Sequence, residues 1–456
     1  MKLSRSFVSI AFSIILVASI NACTMGADAV RPNVVLILAD DLGWGDLAAY
    51  GHPYAKTPNL DQLANEGILF HRFYVTGRVC VPSRTGFMTS RSPATFVKYP
   101  KDAGFQGRAT ITEMLKNGGY ATGHFGKWHI GDEKQDGTYG IDKIKRGGHG
   151  NAEDGRDARV FEAAIRFIEK HRDVPFYVNV WGRISHFPVA PHPSLAAIFK
   201  DISVRREDFS KHMQVKFDEA ESVGGNLNEG MANYLGELYS LDLSVGKLLQ
   251  KLDELGLREE TIVVFASDNG PAPVIVDRGA NEQISPNMLG SAGELRGGKH
   301  DFWEGGVRSP FIIRWPGEVP AGKINTTSIT SALDWLPTIA AIAGIPYDKS
   351  MFEGEDVSDI WRGADRSRKN PLFWRQHTYA RTKAMLQGDW KLHVDRGETS
   401  LYNLSDDPEE SEDLAERYKG ISSRLVEQLE AWNESLPNEE GTDAVVMAPI
   451  DLPLEH

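Results

Sequence analysis

Cysteine is scarce in this sequence, with Cys23 and Cys80 as the two instances in 456 residues. Cys23 ends a stretch that starts with basic residues and continues as an apolar run from Phe7 to Ile20, which is the layout of an export signal. We therefore predict a signal peptide over residues 1–23. Cys80 is then left without a partner, so we expect an exported protein without internal disulfides, whose stability depends on its hydrophobic core.

The sequence also lacks an excess of positive charge. Lys and Arg number 50 against 63 for Asp and Glu, which gives a net charge of −13. This balance argues against nucleic acid or an anionic membrane surface as a partner, although a local cationic pocket could still hold a small anion. The apolar part of the leader is shorter than the run of residues that a transmembrane helix needs to cross a bilayer.

The residues that end at Cys23, INAC, resemble a bacterial lipoprotein box, in which the cysteine becomes the lipidated first residue of the mature chain. Lipidation and plain secretion both stay open, because Asn21 stands where a small or aliphatic residue is usual. Either outcome predicts export, to the periplasm or, through a lipid anchor, to the outer membrane of a bacterium. We expect contact with a membrane only through that anchor.

Strand and helix patterns alternate from the leader to about residue 345. Continuous aliphatic runs, typical of strands buried on both faces, occur at Asn33–Asp41, Thr261–Gly270, Phe176–Gly182 and Pro310–Gly317. This alternation predicts an α/β fold with a large, mainly parallel sheet sandwiched by helices over residues 30–345. Beyond it, short strands between Gly and Asp turns and one amphipathic helix predict a smaller C-terminal subdomain over residues 346–456, an antiparallel sheet with a covering helix.

Two pairs of polar residues follow two of the predicted buried strands. Asp40 and Asp41 end the first, and Asp268 and Asn269 end the strand that starts at Thr261. Ligands of open α/β sheets bind beyond the carboxyl ends of the strands, so we expect the two pairs to meet there. Their oxygens are hard ligands suited to Ca²⁺ or Mg²⁺, and without a cation the carboxylates would repel one another. Either pair alone could simply cap a helix or form a turn.

Cys80 precedes a predicted helix start, with Pro82 in the first turn. The free N–H groups and the dipole of a helix N-terminus favour negative charge, so we expect the thiol to ionise readily and to attract an anion. A lone cysteine could instead be a small buried hydrophobic residue. An unpaired thiol is a liability in an oxidising compartment, however, which suggests that Cys80 is consumed by a modification.

The segment from Cys80 to Arg91, CVPSRTGFMTSR, resembles the signature of the formylglycine-dependent sulfatases of the alkaline phosphatase superfamily, with Ser90 in place of the usual glycine. Other segments resemble that family in the same order along the chain: RPNVVLILADDLGWGDLAAYG, GHFGKWHIG, SHFPVAPHP, FASDNG and LRGGKHDFWEGGVRSPFIIRWPG. The resemblance implies the family's fold and a catalytic domain over residues 30–345. It also implies a formylglycine-generating maturation enzyme that oxidises Cys80 to an aldehyde, 3-oxoalanine, whose hydrate is the nucleophile.

The resemblance further implies a metal site. One Ca²⁺, with Mg²⁺ as the alternative, would be bound by the residues at the strand ends and by the modified cysteine: Asp40, Asp41, Asp268, Asn269 and Cys80. The cation would act as a Lewis acid and hold the hydrate as an alkoxide. Arg84, one helical turn after the cysteine, would stabilise that alkoxide.

The remaining implied roles concern the sulfate group and two protons. Lys127 and Lys299 would clamp the sulfate and balance its charge. His186, assisted by Lys299, would protonate the leaving oxygen. His129 would take the proton of the second hydroxyl group, so that sulfate is eliminated and the aldehyde is restored.

These implications predict a sulfuric ester hydrolase that acts on a sulfated carbohydrate, either a polysaccharide or an oligosaccharide. Carrageenan is the first candidate substrate, followed by ulvan and glycosaminoglycan fragments. Two alternatives stay open. A phosphonate monoester or phosphodiester hydrolase of the same superfamily would use a similar site, and a non-catalytic glycan-binding lipoprotein could keep the fold without the activity. The complete set of site residues argues against loss of activity.

Overall fold

The computed structural model describes residues 31–131, 135–147, 153–276, 283–376 and 382–437. The predicted signal peptide, with the candidate lipid site Cys23, lies outside these ranges. Within them, no helix has the length and apolar character needed to cross a membrane. The strands are β1 (Asn33–Ala39), β2 (Ile68–Tyr74), β3 (Ala121–Gly126), β4 (Lys143–Lys145), β5 (Phe176–Trp181), β6 (Thr261–Ser267), β7 (Ile275–Val276), β8 (Gln283–Ile284), β9 (Arg308–Arg314), β10 (Lys323–Asn325), β11 (Thr330–Ser331), β12 (Leu372–Arg375), β13 (Thr382–Gln387), β14 (Trp390–Asp395) and β15 (Glu398–Asn403).

Helices separate most of these strands. They are α1 (Pro58–Asn65), α2 (Cys80–Thr89), α3 (Pro100–Ala103), α4 (Ile111–Asn117), α5 (Ala158–Lys170), α6 (Pro193–Ala196), α7 (Lys211–Ser222), α8 (Leu227–Glu254), α9 (Glu304–Val307), α10 (Trp335–Ile342), α11 (Ser358–Trp361) and α12 (Lys419–Glu434). Several of these helices begin at capping residues that can be recognised in the sequence. Thr110 and Glu113 form a reciprocal capping box at α4, and the Asn226 side chain caps α8.

The large sheet has the order β10, β2, β9, β6, β1, β5, β3, β4, with β11 also paired to β2. The pairs between β6, β1, β5, β3 and β4 are parallel, whereas β9 is antiparallel to both β2 and β6. The predicted α/β fold with a large, mainly parallel sheet is therefore confirmed. The run at Pro310–Gly317, predicted as one of its strands, contributes most of β9 and runs against its neighbours.

Both faces of the large sheet are covered by helices. On β1, Val35 and Ile37 face a core that includes residues of α1, α5 and α8. Leu36 and Leu38 face a second core that includes residues of α2, α4 and α10. Because every residue of β1 is buried, its sequence is a continuous aliphatic run rather than an alternation of apolar and polar residues.

The described part of residues 346–437 contains a second sheet, antiparallel, in the order β12, β13, β14, β15. α12 covers one of its faces, where Leu425 and Leu429 pack with Leu392. Trp374 belongs to the second core of the large sheet, and its indole nitrogen donates to the Val75 carbonyl oxygen at 2.8 Å. The predicted antiparallel sheet with a covering helix is confirmed, and a domain boundary at residue 345 stays a prediction.

The central parallel strands end at the same level. Ala39 of β1 pairs with Ser267 of β6, Leu38 pairs with Trp181 of β5, and Trp181 pairs with Gly126 of β3. The residues that follow these strands therefore leave the sheet at one edge, where the predicted site residues come together.

Candidate active site

The residues that follow β1 and β6 meet at this edge, as the sequence predicted. The backbone N–H of Asp41 donates to Asp268 Oδ1 at 3.1 Å, and Asn269 Nδ2 donates to Asp41 Oδ1 at 2.8 Å. Asp40 lies with them, and each of the four residues has no more than 1% of its surface exposed. One oxygen from each of the three carboxylates and the Cys80 Sγ all lie within 4.8 Å of one another.

Cys80 is the first residue of α2 and is unpaired. Its Sγ lies 3.4 Å from Asp40 Oδ1 and 3.8 Å from Asp41 Oδ1. Burial raises the pKa of the thiol, and the nearby Lys299 offsets this only in part. The expectation that the unmodified thiol ionises readily is therefore wrong, because the helix N-terminus is buried beside carboxylates instead of facing water.

Two lysines bring positive charge to the same place. Lys127, just after β3, lies with its Nζ 2.6 Å from Asp40 Oδ2 and 3.3 Å from Cys80 Sγ. Lys299, in the segment before α9, lies with its Nζ 2.6 Å from Asp41 Oδ2. Both side chains are largely buried, at 12% and 9% exposed. Each lysine thus contacts a different carboxylate of the cluster, and the two ammonium groups lie beside the cysteine.

Arg84 connects α2 to the ends of β6 and β3. Its Nε and Nη2 lie 2.8 and 2.7 Å from the same oxygen of Asp268, and its Nη1 donates to the Lys127 carbonyl oxygen at 3.1 Å. Nη2 also lies 3.6 Å from Asp40 Oδ1. The guanidinium stacks over the Trp181 ring at 5.1 Å from its centroid. A permanent positive charge is thus fixed between two carboxylates, without any exposed surface.

The two predicted catalytic histidines occupy different positions. His186 follows β5, and its Nε2 lies 3.8 Å from Asp41 Oδ2, with about a third of the side chain exposed. Its Nδ1 lies 2.9 Å from the Phe187 carbonyl oxygen, an acceptor, so Nδ1 carries a proton and Nε2 is the atom that exchanges one. His129 follows β3 and is more open to solvent. Partial burial and the charges of Lys127 and Arg84 lower its pKa, so its imidazole is neutral at neutral pH.

The oxygen atoms of this cluster fit a hard divalent cation. Asn269 Oδ1 is buried and has no hydrogen-bond partner within the described ranges, which leaves an amide oxygen free beside three carboxylates. Burial would raise the pKa of Asp40, but Lys127 holds it well below its usual value, and the pKa of Asp41 is lowered as well. Both are therefore ionised at neutral pH. Carboxylate and amide oxygens are the ligands that Ca²⁺ and Mg²⁺ take in proteins.

Three charged residues that no sequence motif marks contact the loop that carries His186. Arg156 and Asp157 precede α5, and Glu237 lies on α8. Arg156 donates to two carbonyl oxygens of the loop, and the two carboxylates accept from its backbone N–H groups. The sequence does not reveal this group, because Glu237 is far from Arg156 and Asp157 in the chain and the partners in the loop are backbone atoms.

Comparison with known proteins places these residues in a family context. A family model described as Sulfatase matches residues 32–345, and a second, N-sulphoglucosamine sulphohydrolase, C-terminal, matches residues 298–435. Arylsulfatase A of Homo sapiens is 29% identical over 478 residues, covering 87% of this chain and 86% of that protein. N-acetylgalactosamine-6-O-sulfatase of Bacteroides thetaiotaomicron is 28% identical over 488 residues, covering 89% and 94%. The crystal structure of Ps i-CgsB in complex with k-i-k-neocarrahexaose has a TM-score of 0.73 at 25% identity and covers 90% of this chain and 95% of that one.

Proposed function

Because this chain belongs to the sulfatase family and is a sulfuric ester hydrolase, we propose that it removes sulfate from a carbohydrate, with an oxidised Cys80 and a bound Ca²⁺. The observation that carries this proposal is the meeting of oxygens from Asp40, Asp41 and Asp268 within 4.8 Å of Cys80 Sγ. The same place also holds the ammonium groups of Lys127 and Lys299. It therefore combines ligands for a cation with countercharge for an anionic ester.

The residues that would hold the cation are those with buried oxygen atoms at the strand ends, together with residue 80: Asp40, Asp41, Asp268, Asn269 and Cys80. Bound Ca²⁺, with Mg²⁺ as the alternative, supplies Lewis-acid chemistry. The unmodified Cys80 is a poor nucleophile because burial raises its pKa. This supports a maturation step in which a formylglycine-generating enzyme oxidises Cys80 to 3-oxoalanine, the form that supplies an oxygen nucleophile.

The fixed cations balance the negative charge of the ester. Lys127 pairs with Asp40 and Lys299 pairs with Asp41, each at 2.6 Å. Their ammonium groups would bind the sulfate oxygens and stabilise charge that develops on them. Arg84 contacts two carboxylates from a fully buried position and keeps its charge at any working pH, so it would stabilise negative charge on the oxygen of residue 80.

Two imidazoles divide the proton transfers. An oxygen of residue 80 would form a bond to sulfur as the S–O bond to the sugar breaks. The electron pair of the broken bond would stay on the sugar oxygen, which would take a proton from His186 Nε2. Nδ1 of that ring is held by the Phe187 carbonyl oxygen at 2.9 Å, so it keeps its proton throughout. His129, which is neutral at neutral pH because its pKa is lowered, would accept the proton of the remaining hydroxyl group of residue 80. The electron pair of that O–H bond would form the C=O bond of the aldehyde as the C–O bond to sulfate breaks.

The carbohydrate assignment is supported by the relatives. N-acetylgalactosamine-6-O-sulfatase of Bacteroides thetaiotaomicron covers 89% of this chain, and the structure of Ps i-CgsB holds k-i-k-neocarrahexaose. Among sulfated polysaccharides and oligosaccharides we favour carrageenan. The leader pattern over residues 1–23 supports export to the periplasm or, with a lipid on Cys23, to the outer membrane.

The test uses protein co-produced with a formylglycine-generating enzyme. The mass of the peptide that contains Cys80 reports its conversion, and the same sample is assayed for sulfate release from carrageenan, ulvan and glycosaminoglycan fragments, with Cys80→Ala as the blank. We expect conversion and sulfate release from at least one glycan. Turnover of phosphonate or phosphate esters without sulfate release, or glycan binding without turnover by converted protein, would overturn the proposal in favour of the corresponding alternative.

A further inference from the structure

The loop that carries His186 is held by one arginine. Arg156 Nη2 donates to the His186 carbonyl oxygen at 2.7 Å, and its Nη1 donates to the Pro188 carbonyl oxygen at 2.9 Å. The two oxygens flank Phe187, whose own carbonyl oxygen accepts from the His186 ring at 2.9 Å. A single planar group therefore fixes the backbone on both sides of the residue that orients the imidazole.

Glu237 holds this arginine and the loop together. Its Oε2 lies 2.9 Å from Arg156 Nε, with the arginine side chain 14% exposed and the glutamate 3% exposed. Its Oε1 accepts from the Ala190 N–H at 3.2 Å, further along the same loop. Glu237 lies on α8, a long helix that packs in the core, so the anchor of the arginine is rigid.

Asp157, next to Arg156, holds the entry to the loop. Its Oδ2 accepts from the Arg183 and Ile184 N–H groups at 2.8 and 3.0 Å. The three residues Arg156, Asp157 and Glu237, which we call the loop clamp, thus contact the backbone from residue 183 to residue 190. Their hydrogen bonds to the loop are made with its backbone atoms, and one of the carbonyl oxygens bound by Arg156 is that of His186 itself.

We propose that Arg156, anchored by Glu237, is a positioning residue that directs His186 Nε2 towards the leaving oxygen of the ester. This inference rests on the proposed function, in which His186 is the proton donor. His186 Nε2 lies 3.8 Å from Asp41 Oδ2, and the ring has one hydrogen bond to its own loop to keep it there. Without Arg156 the loop backbone loses two donors, and the ring turns or shifts away from the site.

Two esters with different leaving groups distinguish a displaced His186 from a general loss of folded structure. A sugar alkoxide is a strong base and needs a proton as the S–O bond breaks, whereas a nitrophenolate leaves readily without one. A displaced His186 therefore impairs the hydrolysis of a glycan or alkyl sulfate and has little effect on 4-nitrophenyl sulfate. A general loss of structure would impair the hydrolysis of both esters alike.

The experiment measures kcat and KM of Arg156→Met, Arg156→Lys and Glu237→Gln for 4-nitrophenyl sulfate and for the glycan or alkyl sulfate that the wild-type protein cleaves. His186→Ala is the reference for loss of the proton donor. Arg72→Met is the matched control, because Arg72 is 11% exposed, pairs with Asp389 at 2.6 Å and donates to the Gly388 carbonyl oxygen at 3.2 Å. Circular dichroism of each variant reports its folded fraction, to which the rates are scaled.

For Arg156→Met we expect kcat for the glycan or alkyl sulfate to fall by about 100-fold, as for other small displacements of a catalytic group. The rate for the nitrophenyl ester and both KM values should change by less than about threefold. In Arg156→Lys the fall in kcat for the glycan or alkyl sulfate should be smaller, because lysine keeps a cationic donor group. Adding Arg156→Met to His186→Ala should change nothing further. Equal losses for both esters, a change in KM alone, or a further loss in the double variant would overturn the inference. If wild-type protein with converted Cys80 cleaves no sulfate ester, the proposed function fails instead.

Discussion

Lys391 Nζ lies 2.7 Å from Glu304 Oε1, and neither side chain has any exposed surface. Lys391 belongs to β14 of the small sheet, and Glu304 begins α9, shortly after Lys299 in the chain. The same ammonium lies 3.3 Å from Glu410 Oε1, which is also fully buried. This ion pair therefore connects the small sheet to the segment that places Lys299 in the candidate active site.

Removal of that ammonium should destabilise the protein strongly. Lys391→Met removes the cation that Glu304 and Glu410 share and leaves Arg308, 3.4 Å from Glu304, as the nearby charged guanidinium. Breaking a buried pair in this way costs about 3–5 kcal/mol. The free energy of unfolding from urea denaturation measures the loss. Lys116→Met is the control, since Lys116 pairs with Asp142 at the surface, with 43% and 36% of the two side chains exposed, and such pairs contribute about 1 kcal/mol or less. Similar losses in the two variants would contradict the prediction.

Lys299 should be needed for the binding of sulfate as an anion. Lys299→Met removes the ammonium that lies 2.6 Å from Asp41 Oδ2, and loss of one stabilising cation in a site of this kind costs about 100- to 1,000-fold in kcat. Competitive inhibition by free sulfate should weaken at the same time. Lys216→Met is the matched control, because Lys216 is also partly buried and its Nζ donates to the Gly290 carbonyl oxygen at 2.6 Å. An unchanged inhibition constant for sulfate in Lys299→Met would show that Lys299 does not bind it.

The strands and the cluster of carboxylates at their ends could be predicted from the sequence. The aliphatic run of β1 predicts burial on both faces, and the polar residues directly after it can only lie at the sheet edge. Asp40 and Asp268 then meet because β1 and β6 are parallel neighbours with Ala39 opposite Ser267. Local pattern and one topological rule are enough for this part of the site.

The burial and the neighbours of these residues could not be predicted from the sequence. The sequence places Cys80 at a helix N-terminus, which favours ionisation, but burial decides its pKa and acts in the opposite direction. The direction of β9 and the contacts of Arg156 depend likewise on which segments pack together. Arg156 binds the carbonyl oxygens of residues 186 and 188. Every residue has a carbonyl group, so the pattern of side chains does not show which of these groups accept a hydrogen bond.

Glu237 should make stability depend on pH. Burial raises its pKa from 4.5 to about 7, and Arg156 offsets this only in part. The folded protein thus binds this proton more tightly than the unfolded chain does. The resulting stabilisation is fully present below about pH 4.5 and is lost as the pH rises to about 7, by roughly 3 kcal/mol at most. Wild-type protein should therefore lose stability relative to Glu237→Gln between about pH 5 and about pH 8 in urea unfolding. A constant difference between the two proteins would rule this out.

Removal of divalent cations should destabilise the protein through the carboxylate cluster. After treatment with a chelator, addition of Ca²⁺ should raise the melting temperature, because a ligand at about 100 times its Kd stabilises the folded state by about 2.7 kcal/mol. Asn269→Ala removes the buried amide oxygen that has no hydrogen-bond partner in the part of the chain described above. The shift caused by a fixed Ca²⁺ concentration should therefore be smaller in this variant, as differential scanning fluorimetry would show.

Asn325→Ala is the control for this measurement, because Asn325 is also buried but lies on β10, where its Nδ2 donates to Ser328 and Asp365. Its loss should lower the melting temperature with and without Ca²⁺ by the same amount, since its contacts do not depend on the cation. Asn269→Ala should lose some stability without Ca²⁺, because its Nδ2 donates to Asp41 Oδ1 at 2.8 Å, and should lose more in the presence of Ca²⁺. If Ca²⁺ raised the melting temperature of the two variants equally, Asn269 would not be a ligand of the cation. This conclusion does not depend on conversion of Cys80, because the experiment measures binding and not turnover.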